Sequence, residues 1–153
     1  MPGVVQALQA LQALQAEILI PGPATNGEAL VLAAPISFWG GIDPFTAAVI
    51  DARHPDRGRN IAGKVLALPG TIGSSSASAV LLELVRTGLA PAAIILHEPD
   101  AILLLGLIVA REMGWQTPMA LKLDRVVQSR LTGQITIDAQ GRITPARPDT
   151  PPA

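Results

Sequence analysis

The chain has 153 residues, 49% of them apolar and 15% charged, with a net charge of −1 and no cysteine. Its length fits one domain with tails, and the scattered charge leaves no basic stripe of the kind that neutralises nucleic-acid phosphates. The missing thiols exclude disulfides, thiolate nucleophiles and iron–sulfur ligation by this chain itself, while the apolar balance points to surface covered by a partner.

The N-terminus shows no basic region ahead of an apolar core. No apolar run approaches the ~18 residues that a membrane span needs, so a cytoplasmic protein is expected. Residues 6–16 read QALQALQALQA, a three-residue repeat of good helix formers. On a helix each leucine is displaced from the last by about 60°, so Leu8, Leu11 and Leu14 spiral around the axis and hold no single face. Residues 1–16 are therefore read as a helical extension, either docking on a partner or decorative.

From Glu17 the pattern changes. The short apolar runs Ile18–Ile20 and Leu30–Leu32 are separated by Pro-Gly-Pro and Asn-Gly, the punctuation of strands and turns. A loop-like SFWGGIDPFT follows, then a short piece at 49–51, the turn-rich RHPDRGRN, and a strand over 64–68 ending at Pro69-Gly70. After TIGSSS, the spacing of Val80, Leu81, Leu84 and Val85 predicts a helix that stops at Gly88. Residues 92–96 read as a buried strand, 102–113 as an apolar helix ending near Gly114, and 118–121 as a further strand. Residues 134–138 and 142–144 form a closing hairpin, and the Pro-rich residues 146–153 read as a disordered tail.

Chemistry is best placed on Gly70-Thr71-Ile72-Gly73-Ser74-Ser75-Ser76, between a strand and a helix. A helix N-terminus offers unpaired N–H groups and partial positive charge, so it can hold an anion or stabilise an alkoxide. A serine hydroxyl that takes a proton from carbon needs such donors. Plain N-capping by serine is the other reading of the same residues. The segment is not a P-loop, because it lacks the Gly-Lys-Ser/Thr that reaches phosphates.

In Ser37-Phe38-Trp39-Gly40-Gly41-Ile42-Asp43-Pro44 the glycines allow close backbone approach, and the loop either lines a pocket or makes a tight turn starting at Asp43. His54 and His97 lack any regular ligand spacing and are read as turn or surface residues, so no metal site is expected within the chain. Lys64 is read as a solvated lysine or a partner for Asp43 or Asp51.

Taken together, ISFWGGIDPFTAAVIDARHP, the later PGTIGSSSASAVLLELV and EPDAILLLGLIVAREMGW resemble the small-subunit swivelling domain of the aconitase X family, from Ile18 to Leu121. The combination of Gly-Gly-x-Asp-Pro, Asp-x-x-His-Pro and Pro-Gly-x-x-Gly-Ser-Ser is far more specific than any one piece. The resemblance implies an α/β fold: a β/β/α swivelling domain over residues 17–145, with a mixed sheet or barrel flanked by helices, like the fourth domain of aconitase. It also implies a dehydratase whose large, cysteine-bearing portion binds iron or an iron–sulfur cluster and here is a separate partner chain.

Within the resemblance Ser74 corresponds to the serine base. Ser75 and the Gly73 backbone would steady its alkoxide or a substrate carboxylate, and Gly41 and Asp43 would line the substrate pocket. Ser76 stands where aconitases carry a carboxylate-binding arginine, which argues against a tricarboxylate. The family's substrates are cis-3-hydroxy-L-proline in bacterial members and mevalonate 5-phosphate in archaeal ones, and FWGGIDP and EPDAI are closer to the bacterial type. A non-catalytic anion-binding or assembly module is the competing reading. A phosphohistidine carrier is set aside, since no histidine follows the Gly-Gly.

Overall fold

Four short apolar runs build the centre of the molecule. The computed structural model describes residues 13–146. In it Thr25–Val31 (β3), Val65–Leu68 (β4), Ala93–Leu96 (β5) and Met119–Lys122 (β6) lie side by side in parallel. Strands buried on both faces read as continuous apolar runs, and successive side chains point to opposite faces. The alternation accordingly sorts each strand between two cores. Leu66, Leu68, Ile94 and Leu96 face one core, and Val65, Ala67, Ala93 and Ile95 face the other.

The first core is covered by the crossover helices Ala77–Arg86 (α2) and Ala101–Glu112 (α3), which pack against each other. The second core lies inside a barrel. The chain leaves β6 through a short helix, Arg125–Gln128 (α4), and makes the expected hairpin of Gln134–Ile137 (β7) and Arg142–Pro145 (β8). Strand β3 changes partner midway, pairing Thr25–Glu28 with β7 and Ala29–Val31 with β4. One layer of strands thus folds over the other, with the helices as a third layer. This is the β/β/α architecture that the resemblance implies.

The seam is closed by one extended segment. Leu14–Gln15 (β1) pairs with β8 at one edge, and Glu17–Ile20 (β2) pairs with β6 at the other. Ala16 between them is buried and donates its N–H to the Gly141 carbonyl at 3.0 Å. The expected helix therefore does not reach residue 16: Leu14 and Gln15 are strand, because an open edge of β8 offers backbone partners that outweigh helix propensity. The rest of that expected helix, 1–12, lies outside the described residues, as does the tail beyond Ala146. Ala146 itself extends the hairpin by donating to Gln134 O at 2.9 Å.

No helix among the described residues is long and apolar enough to cross a membrane. Because β3 to β6 are parallel, their carboxyl ends share one edge. The connections after all four emerge there, which is where open parallel sheets place ligands.

Candidate active site

Strand β4 ends at Leu68, and its outlet is fixed from below. Gln128, buried on α4, donates to both Leu68 O and Leu123 O at 3.0 Å, tying the carboxyl ends of β4 and β6 together. The chain then passes Gly70 and pairs Thr71 with Ile36, where Ile72 N–H donates to Ile36 O at 3.0 Å. Beyond Ile72 come Gly73, Ser74, Ser75 and Ser76, leading straight into α2.

Ser74 is half-buried, and its Oγ accepts the N–H of Ser76 at 3.2 Å while its carbonyl accepts Ala77 N–H at 3.1 Å. Ser76 is the N-cap residue of α2, yet its side chain makes no capping bond. The Ser75 carbonyl accepts the Ser78 hydroxyl at 3.3 Å. Ser74, and not Ser76, thus supplies a capping bond at the start of α2, so the N-capping reading of the cluster stands at Ser74. Asp124 caps α4 through a carboxylate with the same i-to-i+2 bond, and Asp100 caps α3 through its carboxylate. Ser74 has a backbone donor on its oxygen at the mouth of a ten-residue helix, an arrangement that stabilises negative charge on that oxygen.

The second segment lies beside the first. Phe38–Gly41 forms a single kinked turn (α1) that packs against α2. Gly41 is buried, and a Cβ there would come within 2.8 Å of Ile36 Cγ1, so packing against the residue that pairs with Thr71 already requires glycine. Asp43 turns into its own loop: its Oδ1 accepts Phe45 N–H at 2.8 Å, the tight-turn reading of that sequence. Ala47, three residues after Pro44, is fully buried with φ of 65°, an unusual conformation for a residue with a Cβ.

His54 lies among turns as expected, but its side chain is not at the surface. It is buried, and Nδ1 accepts Asp56 N–H at 3.0 Å, which leaves the ring proton on Nε2 to be donated to Ala34 O at 2.9 Å. Asp56 Oδ2 in turn accepts Ala33 N–H at 2.8 Å. This pair clamps the residues that follow β3 and lead to Ile36. The sequence gives no hint of it, since the clamped groups, Ala34 O and Ala33 N–H, lie on backbone 20 and 23 residues away.

His97, after β5, is half-buried on the same edge and accepts Arg125 N–H at Nδ1, 3.0 Å away. Lys64 pairs with neither Asp43 nor Asp51 but donates to Glu28 Oε2 at 2.8 Å, and this hydrogen bond holds the Glu28 carboxyl below its usual range. The pair is exposed, lies at the amino end of β4 and contributes little to stability.

Sequence reasoning missed Asp100 and Thr71. Thr71 Oγ1 donates to Asp100 Oδ2 at 2.7 Å, while Asp100 Oδ1 accepts Ile102 and Leu103 N–H at 3.0 and 3.1 Å. The signal for Asp100 was available, because an Asp immediately before an apolar helix is an N-cap. Among the described residues no group of three or more His, Asp or Glu is placed to hold a metal ion, and the sequence has no cysteine. The donor set of an iron–sulfur cluster is therefore not supplied by this chain.

Comparison with known proteins bears on the fold and the family. The family model of the aconitase X swivel domain matches residues 13–144. Over 103 residues the chain is 53% identical to the cis-3-hydroxy-L-proline dehydratase of Pseudomonas aeruginosa, covering 67% of this chain and 18% of that protein. Over 85 residues it is 46% identical to the phosphomevalonate dehydratase small subunit of Methanothermobacter thermautotrophicus, covering 56% of this chain and 65% of that one. A chain of the crystal structure of Thermococcus kodakaraensis aconitase X in its holo-form superposes with a TM-score of 0.75 at 34% identity, covering 89% of this chain and 99% of that chain. The chain thus spans under a fifth of the first relative and just under two thirds of the second. With the match running through nearly all the described residues and the three-layer fold shared with a solved member, the chain belongs to the aconitase X swivel-domain family.

Proposed function

We propose that this chain is the small subunit of a hydro-lyase that dehydrates a small hydroxy acid, with cis-3-hydroxy-L-proline as substrate and Ser74 as the base. The observation that carries the proposal is the Ser74 hydroxyl receiving a backbone N–H at the start of α2, on the carboxyl edge of the parallel strands. In this reaction Ser74 takes the proton from the carbon next to the one bearing the hydroxyl. The C–H electrons form the double bond as hydroxide leaves, and the resulting enamine tautomerises to a cyclic imine. Ser75, the Gly73 backbone and the α2 N-terminus stabilise the alkoxide or the substrate carboxylate.

The iron or iron–sulfur cluster expected for the family belongs, on this reading, to a large cysteine-bearing partner, and the contribution of this chain is the proton transfer. The preference for the imino acid rests on the higher identity over a longer stretch to the P. aeruginosa enzyme. The test is to combine this chain with its large partner, load iron without oxygen, and assay both family substrates. Dehydration of cis-3-hydroxy-L-proline is the expected outcome. Turnover of mevalonate 5-phosphate alone would move the substrate to the archaeal type, and turnover of neither would favour a non-catalytic assembly module.

Gly73 provides a second check. Its φ is ordinary, and a Cβ added there meets no atom within 4 Å, so nothing in this chain's own packing demands glycine. Gly73→Ala should leave the unfolding midpoint within about 0.5 kcal/mol of the parent, as at open surface sites. Turnover should fall at least roughly tenfold, because a methyl group would stand where a substrate carboxylate meets the backbone. Full activity would show that nothing approaches Gly73.

A further inference from the structure

We infer that Thr71 and Asp100 are positioning residues that fix Ser74 for proton transfer, an inference that rests on the reading of Ser74 as the base. The loop from Gly70 to Ser76 has few attachments. Its first part is held to Ile36 by backbone bonds, Ile72 N–H to Ile36 O at 3.0 Å and Ile36 N–H to Gly70 O at 3.4 Å. From Gly73 to Ser76, every hydrogen bond found among the described residues stays within the loop and α2. The one side-chain tie from this loop to the next strand-to-helix connection is Thr71 Oγ1 to Asp100 Oδ2, at 2.7 Å.

The anchor at the far end of that tie is itself rigid. Asp100 divides its two oxygens: Oδ1 takes the first free N–H groups of α3, and Oδ2 takes the threonine hydroxyl. A carboxylate at a helix N-terminus is stabilised by the helix dipole, and its hydrogen bonds are stronger than those between neutral groups. Thr71 is three residues before Ser74. The loop is thereby registered against α3 as well as against α2, and Ser74 sits in the short span between the Thr71 anchor and the first turn of α2. Removing the tie leaves the upstream end of that span held by the Ile36 backbone bonds alone, with Ser74, its Ser76 donor and the α3 cap chemically intact.

The test uses Thr71→Val, which keeps the shape and deletes the donor, and Thr71→Ser, which restores the donor. Both are measured in the two-chain complex beside Ser74→Ala. Thr71→Val should lower kcat by roughly 10²-fold, the scale of a misplaced catalytic group, with KM and the thermal midpoint near the parent values. Thr71→Ser should recover most of the loss. Amide exchange provides a readout that needs no turnover: in the isolated chain, the Ile72–Ala77 stretch should exchange about tenfold faster in Thr71→Val and at the parent rate in Thr71→Ser.

Unchanged exchange in Thr71→Val overturns the proposal by itself. A parent-level kcat in Thr71→Val with Ser74→Ala inactive overturns the positioning role and leaves Ser74 in place. Parent-level kcat in Ser74→Ala removes the base itself, and with it the role of both anchors.

Discussion

On the proposed reading of a two-chain dehydratase, Ser74→Ala is expected to lower kcat by about 10³-fold, within the range that a positioned general base contributes. The substitution deletes the only atom that can take the proton on this reading and leaves little else changed. The alanine loses one acceptor, that for the Ser76 N–H. At a half-exposed helix start such a loss costs about 1 kcal/mol or less, because water replaces the partner. Stability and assembly with the large partner should therefore stay close to the parent, and KM should move less than kcat. The measurement is a steady-state comparison of parent and variant, with the unfolding midpoint and the affinity for the large chain determined on the same samples. A variant that keeps parent-level kcat removes Ser74 from the chemistry. A variant that loses the large chain instead would assign the serine to assembly.

Much of this site was legible in the sequence because its supports are local. The runs VLAL and AIIL, and the helices that follow them, are short elements whose pattern contains the crossover geometry. The order strand, Gly/Ser loop, helix puts Ser74 after the carboxyl end of a strand from the sequence alone. Three things were not legible. The closing strand Leu14–Gln15 lies in a repeat of strong helix formers, and only the distant β8 edge gives it another use. His54 occupies a turn-like RHPD, and its burial depends on Ala34, which the chain brings to it from 20 residues upstream. Thr71 is unremarkable in GTIGSSS until Asp100, 29 residues later, is placed beside it. In each case the deciding partner is far away in sequence, where periodicity and turn chemistry carry no information.

The largest stability effect should come from Gly106, the residue that lets α2 and α3 approach. On an exposed helix, glycine is worse than alanine by about 0.8–1.0 kcal/mol, so Gly→Ala there would stabilise. Here the opposite sign is expected. A Cβ at Gly106 would lie 2.5 Å from Ser78 O, 3.3 Å from Ser78 C and 3.4 Å from Leu82 N, all backbone atoms of α2 that cannot rotate aside. The helices must part, and the buried contacts of Leu81, Leu84, Leu103 and Leu107 open with them. Overpacking of this kind costs about 1–3 kcal/mol for small insertions. Net of the propensity gain, Gly106→Ala should destabilise by up to roughly 2 kcal/mol and Gly106→Val by more than about 3 kcal/mol. Denaturant unfolding of the three chains gives the ordering directly, and a stabilised Gly106→Ala would show that α2 and α3 do not meet this closely. Because α2 begins three residues after Ser74 and α3 begins directly after the Asp100 anchor, prying the helices apart also separates the two supports of the serine loop. Gly106→Ala should for that reason lose activity at temperatures where it is still fully folded.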